Sequence, residues 1–412
     1  MKPLIIIEIL AVFVILFLRI YYFQKFNNNL LRVGNTVAVS GLLWETPKEK
    51  YGNLYFKLSN YDIVLNTRHL KASQFAVGNT LKLEGLVIGG KYGNVINAKK
   101  ITLVRKTAFG SFISNLSQIK VAIVSRVQKK IAEPFAGLAL GLTLGVKEAI
   151  LPDIYNTLVK TGTIHVAVVS GFNINLLIKA LSPLINFIKK KWIKISLITV
   201  LVAIYCLLVL PSPPVIRAFI MGILTYLVSL QGRLVAGLRV LILAGFFMVI
   251  INPYVIYDIS FQLSFGASLG LIVLEPKLKK ILPINLKGLE EFFYTTISCQ
   301  IILLPIISYY FGTISILSLV SNTLTLWVIP YATIFSFIYI FTSTIPVISS
   351  LTSFIVYIIL NYFVSVNSFI AGISFSQINL RFSLMGIVVY YFGVLGVLGM
   401  LGRVGVLKKE TI

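Results

Sequence analysis

The sequence predicts a mostly α, polytopic membrane protein with about ten transmembrane helices and a small all-β domain inserted after the first helix. Three observations predict it. The 412 residues are 57% hydrophobic and 12% charged, with a mean hydropathy of +0.92, which is more apolar surface than one water-soluble core can hide. From Phe292 to Leu380 no residue is charged, a stretch several times the roughly 20 residues that one spanning helix needs. Between the N-terminal apolar run and Thr107 the hydrophobic period changes from helical to alternating, the mark of half-buried strands.

Taken in order, Leu4 to Leu18 is an apolar run preceded by Lys2 and followed by Arg19, Tyr21, Tyr22 and Lys25, an aromatic and basic belt suited to a membrane interface. The run lacks a following small-residue cleavage site, so residues 1–30 are expected to be an uncleaved anchor rather than a signal peptide. Glu8 within it is unusual for hydrocarbon.

Residues 31–106 hold five β-rich runs, Thr36–Trp44, Asn53–Leu58, Asp62–Thr67, Thr80–Ile88 and Asn94–Val104, separated by Gly, Asn and Pro turn signals. Five short strands suggest a small barrel, and Gly41 offers a bulge that would bend a long first strand across both of its faces. An OB-fold is the natural expectation, and the open face of that fold commonly binds single-stranded nucleic acid. Twelve basic against four acidic residues give this segment a net +8 within a chain of net +24, a charge that attracts a polyanion or an anionic lipid surface. Lys48, Lys50, Tyr55, Lys57, Tyr61 and Arg68 are the candidate nucleic-acid contacts. The competing reading makes about half of the nearby aromatics barrel core, because alternation demands inward residues.

Residues 107–412 are expected to be a helical membrane domain. Apolar runs near Gly162–Ile188, Ile193–Leu210, Val215–Leu230, Leu238–Ile251, Ile259–Leu274, Phe292–Phe311, Ile314–Ile345, Leu351–Ile373 and Ser383–Gly402, with the anchor, make about ten spans. Basic loops recur at every second connection: Lys189, Lys190, Lys191 and Lys194, then Arg233 and Arg239, then Lys277, Lys279, Lys280 and Lys287. Such loops mark the cytoplasmic side, which puts the β-domain outside and Arg403, Lys408 and Lys409 inside. Ile314–Ile345 is too long for a simple helix and contains Pro330, so a broken or re-entrant segment is expected there. Cys206 and Cys299 lie inside apolar runs without metal-ligand spacing and read as buried hydrophobes.

Several of these stretches, in this order, resemble the ComEC family of competence proteins. Ala136–Gly145 followed by Thr161–Leu177 is similar to the opening signature of the competence domain. Pro213–Met221 with Gly232-Arg233, then Asn252-Pro253 with Asp258–Gly266, then Leu304-Pro305, Phe311–Ser315, Asn322 and Pro330 are similar to its later segments. The resemblance covers roughly Leu31 to Pro330. It implies an inner-membrane channel for incoming single-stranded DNA, with a DNA receptor outside and a motor ATPase inside as partners. Two departures stand out. Asn173 takes the place of a second His that the family usually carries after its Ser-Gly pair. Many full-length relatives also end in a metallo-β-lactamase-like domain, whose metal site needs clustered His and Asp residues. His69 and His165 are the only histidines here, so any nuclease is expected to be a separate protein.

Polar groups at membrane depth must face protein or water rather than lipid. His165, Ser170, Gly171, Asn173 and Asn175 are therefore candidates to line a DNA path, with hydrogen-bonded packing between helices as the equal alternative. Lys179 would reach the cytoplasmic end of the same path. Arg217, just after Pro211–Pro214, is either a phosphate contact at the entrance or a side chain snorkelling to the interface. Asp258 and Gln262 share a helical face, and Asp258 is suited to start its helix; Asn322 completes the set. The chain lacks a phosphate-binding Gly-Lys-Ser/Thr loop, a paired His and carboxylate motif and a nucleophile elbow, so neither catalysis, a metal nor a cofactor is expected. The leading expectation is a passive DNA conduit in the bacterial inner membrane, in contact with lipids and open to homo-oligomerisation. A small-molecule or lipid transporter, and a membrane scaffold whose β-domain binds protein, are the alternatives.

Overall fold

A computed structural model describes residues 33–45, 47–50, 53–58, 61–66, 75–90, 93–104, 107–230 and 236–407. The expected anchor with Glu8, and Arg68, His69, Arg233, Lys408 and Lys409, lie outside the described residues, as do the side chains of Lys48, Lys50 and Arg403. The described chain forms two compact units. One comprises described residues up to 123 with 246–256; the other comprises 124–245 and the described residues from 257 onward.

The first unit holds six strands: β1 (Thr36–Leu42), β2 (Lys48–Lys50), β3 (Asn53–Leu58), β4 (Tyr61–Asn66), β5 (Thr80–Gly90) and β6 (Gly93–Val104). They form one sheet in the order β1-β5-β6-β4-β3-β2. Neighbours are antiparallel except β4 and β6, which run parallel. β1 and β2 are successive parts of one passage of chain, so that passage supplies both ends of the strand order, and a bridge joins Leu43 to Leu58. The expected bulge at Gly41 is absent: Gly41 pairs in register with Leu81. The first strand is instead interrupted between Leu42 and Lys48, around Pro47, whose ring removes a ladder donor. The register shift falls at Glu84/Gly85 of β5. A side chain at Gly85 would come within 2.4 Å of the Asn97 carbonyl oxygen, so only glycine admits this approach.

Alternation fills the interior with Leu54, Phe56, Leu58, Ile63, Leu65, Leu81, Leu83 and Ile96, and Phe56 stacks on Phe75 at 6.3 Å between centroids. The polar partners of that alternation, Tyr55 and Lys57 among them, face outward.

The long helix α1 (Ala108–Lys130) follows, and then the shorter α2 (Phe135–Leu144), α3 (Pro152–Lys160) and α4 (Gly171–Leu184). The apolar run Gly162–Ile188 is thus not one helix. Its first part, Thr163-Ile-His-Val-Ala-Val-Val169, is mostly β-branched and stays in turns and extended chain until Gly171. α5 (Lys191–Val209) and α6 (Pro213–Ser229) form a hairpin, with two prolines opening α6 and the Lys191 ammonium donating to the Leu230 carbonyl at 3.0 Å. α7 (Gly237–Ile251) follows. α8 (Ile259–Leu269) passes through a π turn at Gly270–Leu274 into α9 (Glu275–Ile281).

After α10 (Glu290–Phe311) comes the short strand β7 (Thr313–Ser315), then α11 (Ser318–Thr325), a 3-10 turn at Leu326–Val328 and α12 (Ile329–Thr342). Within Ile314–Ile345 the stretch Ser318–Thr342 is thus one helical passage of spanning length interrupted by a 3-10 turn, with Pro330 in the first turn of α12 where its missing N–H costs nothing. α13 (Pro346–Ala371), β8 (Gln377–Asn379) and α14 (Leu384–Leu407) complete the unit, β8 pairing with β7.

The protein is mostly helical. Among the described residues five stretches are long and apolar enough to cross a bilayer: Lys191–Val209, Ile259–Ile281, Glu290–Phe311, Ser318–Thr342 and Pro346–Ala371. Phe135–Leu144, Pro213–Ser229, Gly237–Ile251 and Leu384–Gly396 are apolar but shorter. About ten spans were expected, one of them the anchor outside the described residues; among the described residues five stretches reach full spanning length. Cys206 and Cys299 are free thiols, the first buried among the residues of α5 and α6.

Candidate functional site

The candidate site is the seam where α4, α6 and α8 meet around Arg217. The extended backbone of Ser170 starts α4, and the Ser170 side chain does not cap the helix. Gly171 is the first helical residue, and a Cβ there would stand 3.2 Å from Nη2 of Arg217 and 3.3 Å from the Ala218 Cβ. The absence of a side chain at Gly171 is what lets the guanidinium lie against the start of α4. Arg217 donates through Nη1 to the Ser268 hydroxyl on α8, lies 3.9 Å from the Met221 sulfur and sits 6.0 Å from the centroid of the Phe265 ring. The Ser268 hydroxyl in turn donates to the Ser264 carbonyl at 3.1 Å.

Among the described residues no carboxylate pairs with Arg217, and its Nε is buried without a hydrogen-bond partner. Asp258, the nearest acidic residue in sequence, is occupied elsewhere: it caps α8, its Oδ1 accepting from the backbone N–H of Ser260 at 2.7 Å and of Phe261 at 3.1 Å. A cap of this kind holds about 0.5–2 kcal/mol. A cation facing hydrocarbon costs about 2.5 kcal/mol or more near the bilayer centre, but α6 is shorter than full spanning length and Arg217 lies near its start.

The seam continues along α4. Gly171, Asn175 and Lys179 repeat every four residues and share a face. Opposite Asn175 stands Gly222 of α6, whose absent Cβ would be 3.4 Å from the Asn175 amide oxygen. Asn175 and Lys179 are exposed and Ser170 is half-buried. Asn173 points the other way. It is 2% exposed and its Nδ2 donates at 2.7 Å to the Leu142 carbonyl, one of the free carbonyls at the end of α2. Tyr205 does the same for the Thr143 carbonyl at 2.9 Å. These two side chains are packing donors of the kind expected between membrane helices.

His165 is exposed in the segment before α4, its Nδ1 lying 3.0 Å from the Gly162 carbonyl oxygen. Gln262 is half-buried on α8, one turn beyond Asp258. Asn322 is buried in α11, its amide oxygen without a partner. Sequence reasoning missed Ser264 and Ser268, although their i, i+4 spacing at and just beyond the Asp258–Gly266 region was a usable signal. It also missed Asn367, an isolated amide in the charge-free stretch.

On the sheet, Tyr55 and Lys57 are exposed on β3 and Lys48 is cross-strand from Tyr55. Tyr61 is half-buried, and burial pushes its phenol above the usual tyrosine range. Phe56, adjacent to Tyr55, is core.

Residues 142–404, more than half of the chain, match the model of the competence protein family. ComE operon protein 3 of Bacillus subtilis (strain 168) is 24% identical over 215 residues, 52% of this chain and 27% of that relative. An uncharacterized protein of Aquifex aeolicus (strain VF5) is 32% identical over 158 residues, 38% of this chain and 37% of its own. The uncharacterized protein YcaI of Escherichia coli (strain K12) is 26% identical over 212 residues, 49% of this chain and 28% of its own. The chain thus spans well under half the length of each of these relatives. No solved structure matches it. The matched region runs from the end of α2 through the Arg217 seam into α14, and on that ground the chain belongs to the ComEC family of competence proteins.

Proposed function

We propose that this membrane protein takes part in DNA uptake for transformation by conducting single-stranded DNA through its helical unit, with the phosphates passing the Arg217 seam. One observation carries the reading: a guanidinium that has no carboxylate partner among the described residues, held against the start of α4 and continued along that helix by Asn175 and Lys179. A guanidinium binds phosphate oxygens in pairs, and the start of a helix favours an anion. Membership of the competence family supports DNA as the polyanion.

The same reading makes the β-domain an OB-fold that receives the strand outside the cytoplasm. Its support is the strand order, with one passage supplying both β1 and β2 and the parallel pair β4 and β6, together with the net +8 of residues 31–106 and the outward Tyr55 and Lys57. An outer receptor, a cytoplasmic motor ATPase and a separate nuclease are the partners this role requires, since it gives the chain no bond-making step.

The test is DNA uptake per molecule of membrane-inserted protein for wild type, Arg217→Gln and Arg217→Lys. Gln keeps hydrogen-bonding capacity but is shorter and uncharged, and should lower uptake about tenfold, the order of one lost charged contact. Lys restores charge without the fork and should recover part of it. Equal uptake by the Gln form and wild type would remove the phosphate role.

A further inference from the structure

A second polar centre lies within the same unit, and here every group has a partner. Asn367, in the last turns of α13, is 0% exposed. Its Oδ1 accepts from the hydroxyls of Thr161 at 2.8 Å, Thr163 at 2.8 Å and Ser321 at 2.7 Å. Its Nδ2 donates to the Phe363 carbonyl at 2.8 Å. Thr161, Thr163 and Ser321 are each 0% exposed as well, and the two threonine hydroxyls lie 2.9 Å apart.

The turn between those threonines is pinned from a second side. Gly162 has φ +72°, a left-handed conformation that glycine adopts without strain, and a Cβ on it would stand 2.6 Å from the Ser318 Cβ. The Ser315 hydroxyl donates to the Lys160 carbonyl at 2.6 Å. Beyond the turn the chain has little regular structure of its own until Gly171. Within it the Gly162 carbonyl meets His165, and at its end Gly171 meets Arg217.

We propose that Asn367 is a positioning residue: a latch on α13 that fixes the Thr161–Thr163 turn, and through it the segment that presents His165 and starts α4 at Gly171. The importance of this for transport rests on the reading of the Arg217 seam as the DNA path; the latch itself does not. The amide oxygen is the acceptor that the three buried hydroxyls share; Thr161 also has the Thr157 carbonyl in reach at 3.1 Å, so loss of the amide leaves chiefly the Thr163 and Ser321 hydroxyls to seek other acceptors. That loss loosens the turn.

An aspartate at this position tells a latch from a space-filler. Burial favours its protonated form and the three donated hydroxyls favour the ionised one, but in either form a carboxyl oxygen accepts those hydroxyls as the amide oxygen does. In the protonated form the O–H also donates to the Phe363 carbonyl, so both halves of the amide's role are reproduced. Leucine keeps the approximate volume and reproduces neither.

The experiment is hydrogen exchange by mass spectrometry on the full chain in lipid nanodiscs, without DNA, comparing wild type with Asn367→Leu, Asn367→Asp and the double variant Thr161→Val/Thr163→Val. Amides of residues 161–170 should exchange about tenfold faster in the Leu form and in the Val pair, and within about twofold of wild type in the Asp form, while amides of α10 stay unchanged. The Val pair keeps threonine's shape, so it decides the matter if the Leu form does not insert. Wild-type exchange across 161–170 in the Val pair, or equal acceleration in the Asp and Leu forms, would overturn the latch. Uptake per inserted molecule is the separate arm. Accelerated exchange with undiminished uptake leaves the latch standing and removes the segment from the DNA path.

Discussion

The β-sheet unit and the helical unit sort the same kinds of residue in opposite directions. In β3, Leu54, Phe56 and Leu58 turn inward while Tyr55 and Lys57 turn out. In α11 the inside is Ser318, Ser321, Asn322, Thr323 and Thr325, and the outside includes Val320 and Leu324. The difference is the solvent. In water, apolar area decides what is buried, at about 25 cal/mol per Å². In hydrocarbon that term vanishes between helices, and a side chain's place is decided by whether its polar atoms find partners. Burial of a polar side chain in the helical unit is therefore read through its hydrogen bonds, which range from complete to absent. The fully partnered Asn367 and the unpartnered Nε of Arg217 are its two extremes.

The sharpest way to break this contrast is to make one substitution in both units. Phe56→Ala empties a position in the core of the β-sheet unit and should destabilise it by about 3–5 kcal/mol. Phe341 on α12 is 80% exposed, facing lipid on this reading, and Phe341→Ala should stay within about 0.5 kcal/mol, as for surface changes. Thermal unfolding of the full protein in nanodiscs, followed by limited proteolysis of each unit, reads both. Comparable losses at the two sites would mean that apolar area, not solvent, governs the helical unit as well.

How much was legible beforehand follows from the same distinction. The strands were readable because alternation in water is a direct record of inside and outside; the five runs correspond to β1 and β3–β6, and only the three-residue β2 was added. Helix positions in the membrane unit were readable from apolarity only in part: the run Gly162–Ile188 turned out to be helical only from Gly171, whereas Pro330 marked the interrupted stretch. Helix facing was not readable. Asn173 and Asn175 are two residues apart and look alike in sequence, yet one donates to α2 and the other lies on the exposed face beside Gly222. Asn367 was invisible for the same reason: its three partners come from two distant segments, and nothing local distinguishes it from Asn361.

Asn173→Leu tests the middle of the range, a partnered amide away from the seam. Removing the donor leaves the Leu142 carbonyl buried and unmet, which costs about 1–3 kcal/mol. The amount of folded, inserted protein and its thermal midpoint should fall. Uptake per remaining inserted molecule should hold, because Asn173 faces α2 rather than Arg217. A loss of uptake per molecule at normal abundance would place Asn173 on the path and sink the division between packing donors and path residues.

The smallest effect on stability, and the most discriminating for the β-domain, is expected at Tyr55. Its neighbour Phe56 is core, but Tyr55 is exposed beside Lys57, so Tyr55→Ala should change stability by no more than about 0.5 kcal/mol. If the outward face stacks bases, the same change should weaken binding of a single-stranded oligonucleotide to the intact protein by about 1–3 kcal/mol, the range for one base on one aromatic ring. Salt separates stacking from charge. Raising the salt concentration should weaken wild type and Tyr55→Ala in parallel, because the variant removes no cation, whereas Lys57→Gln should flatten the salt dependence by about one phosphate contact. Fluorescence anisotropy with a labelled oligonucleotide across a salt series measures all three. Unchanged affinity in the Tyr55 variant, with the flattened slope still present in the Lys57 variant, would leave the face as an electrostatic surface without stacking. Unchanged behaviour in both would take nucleic acid off this face.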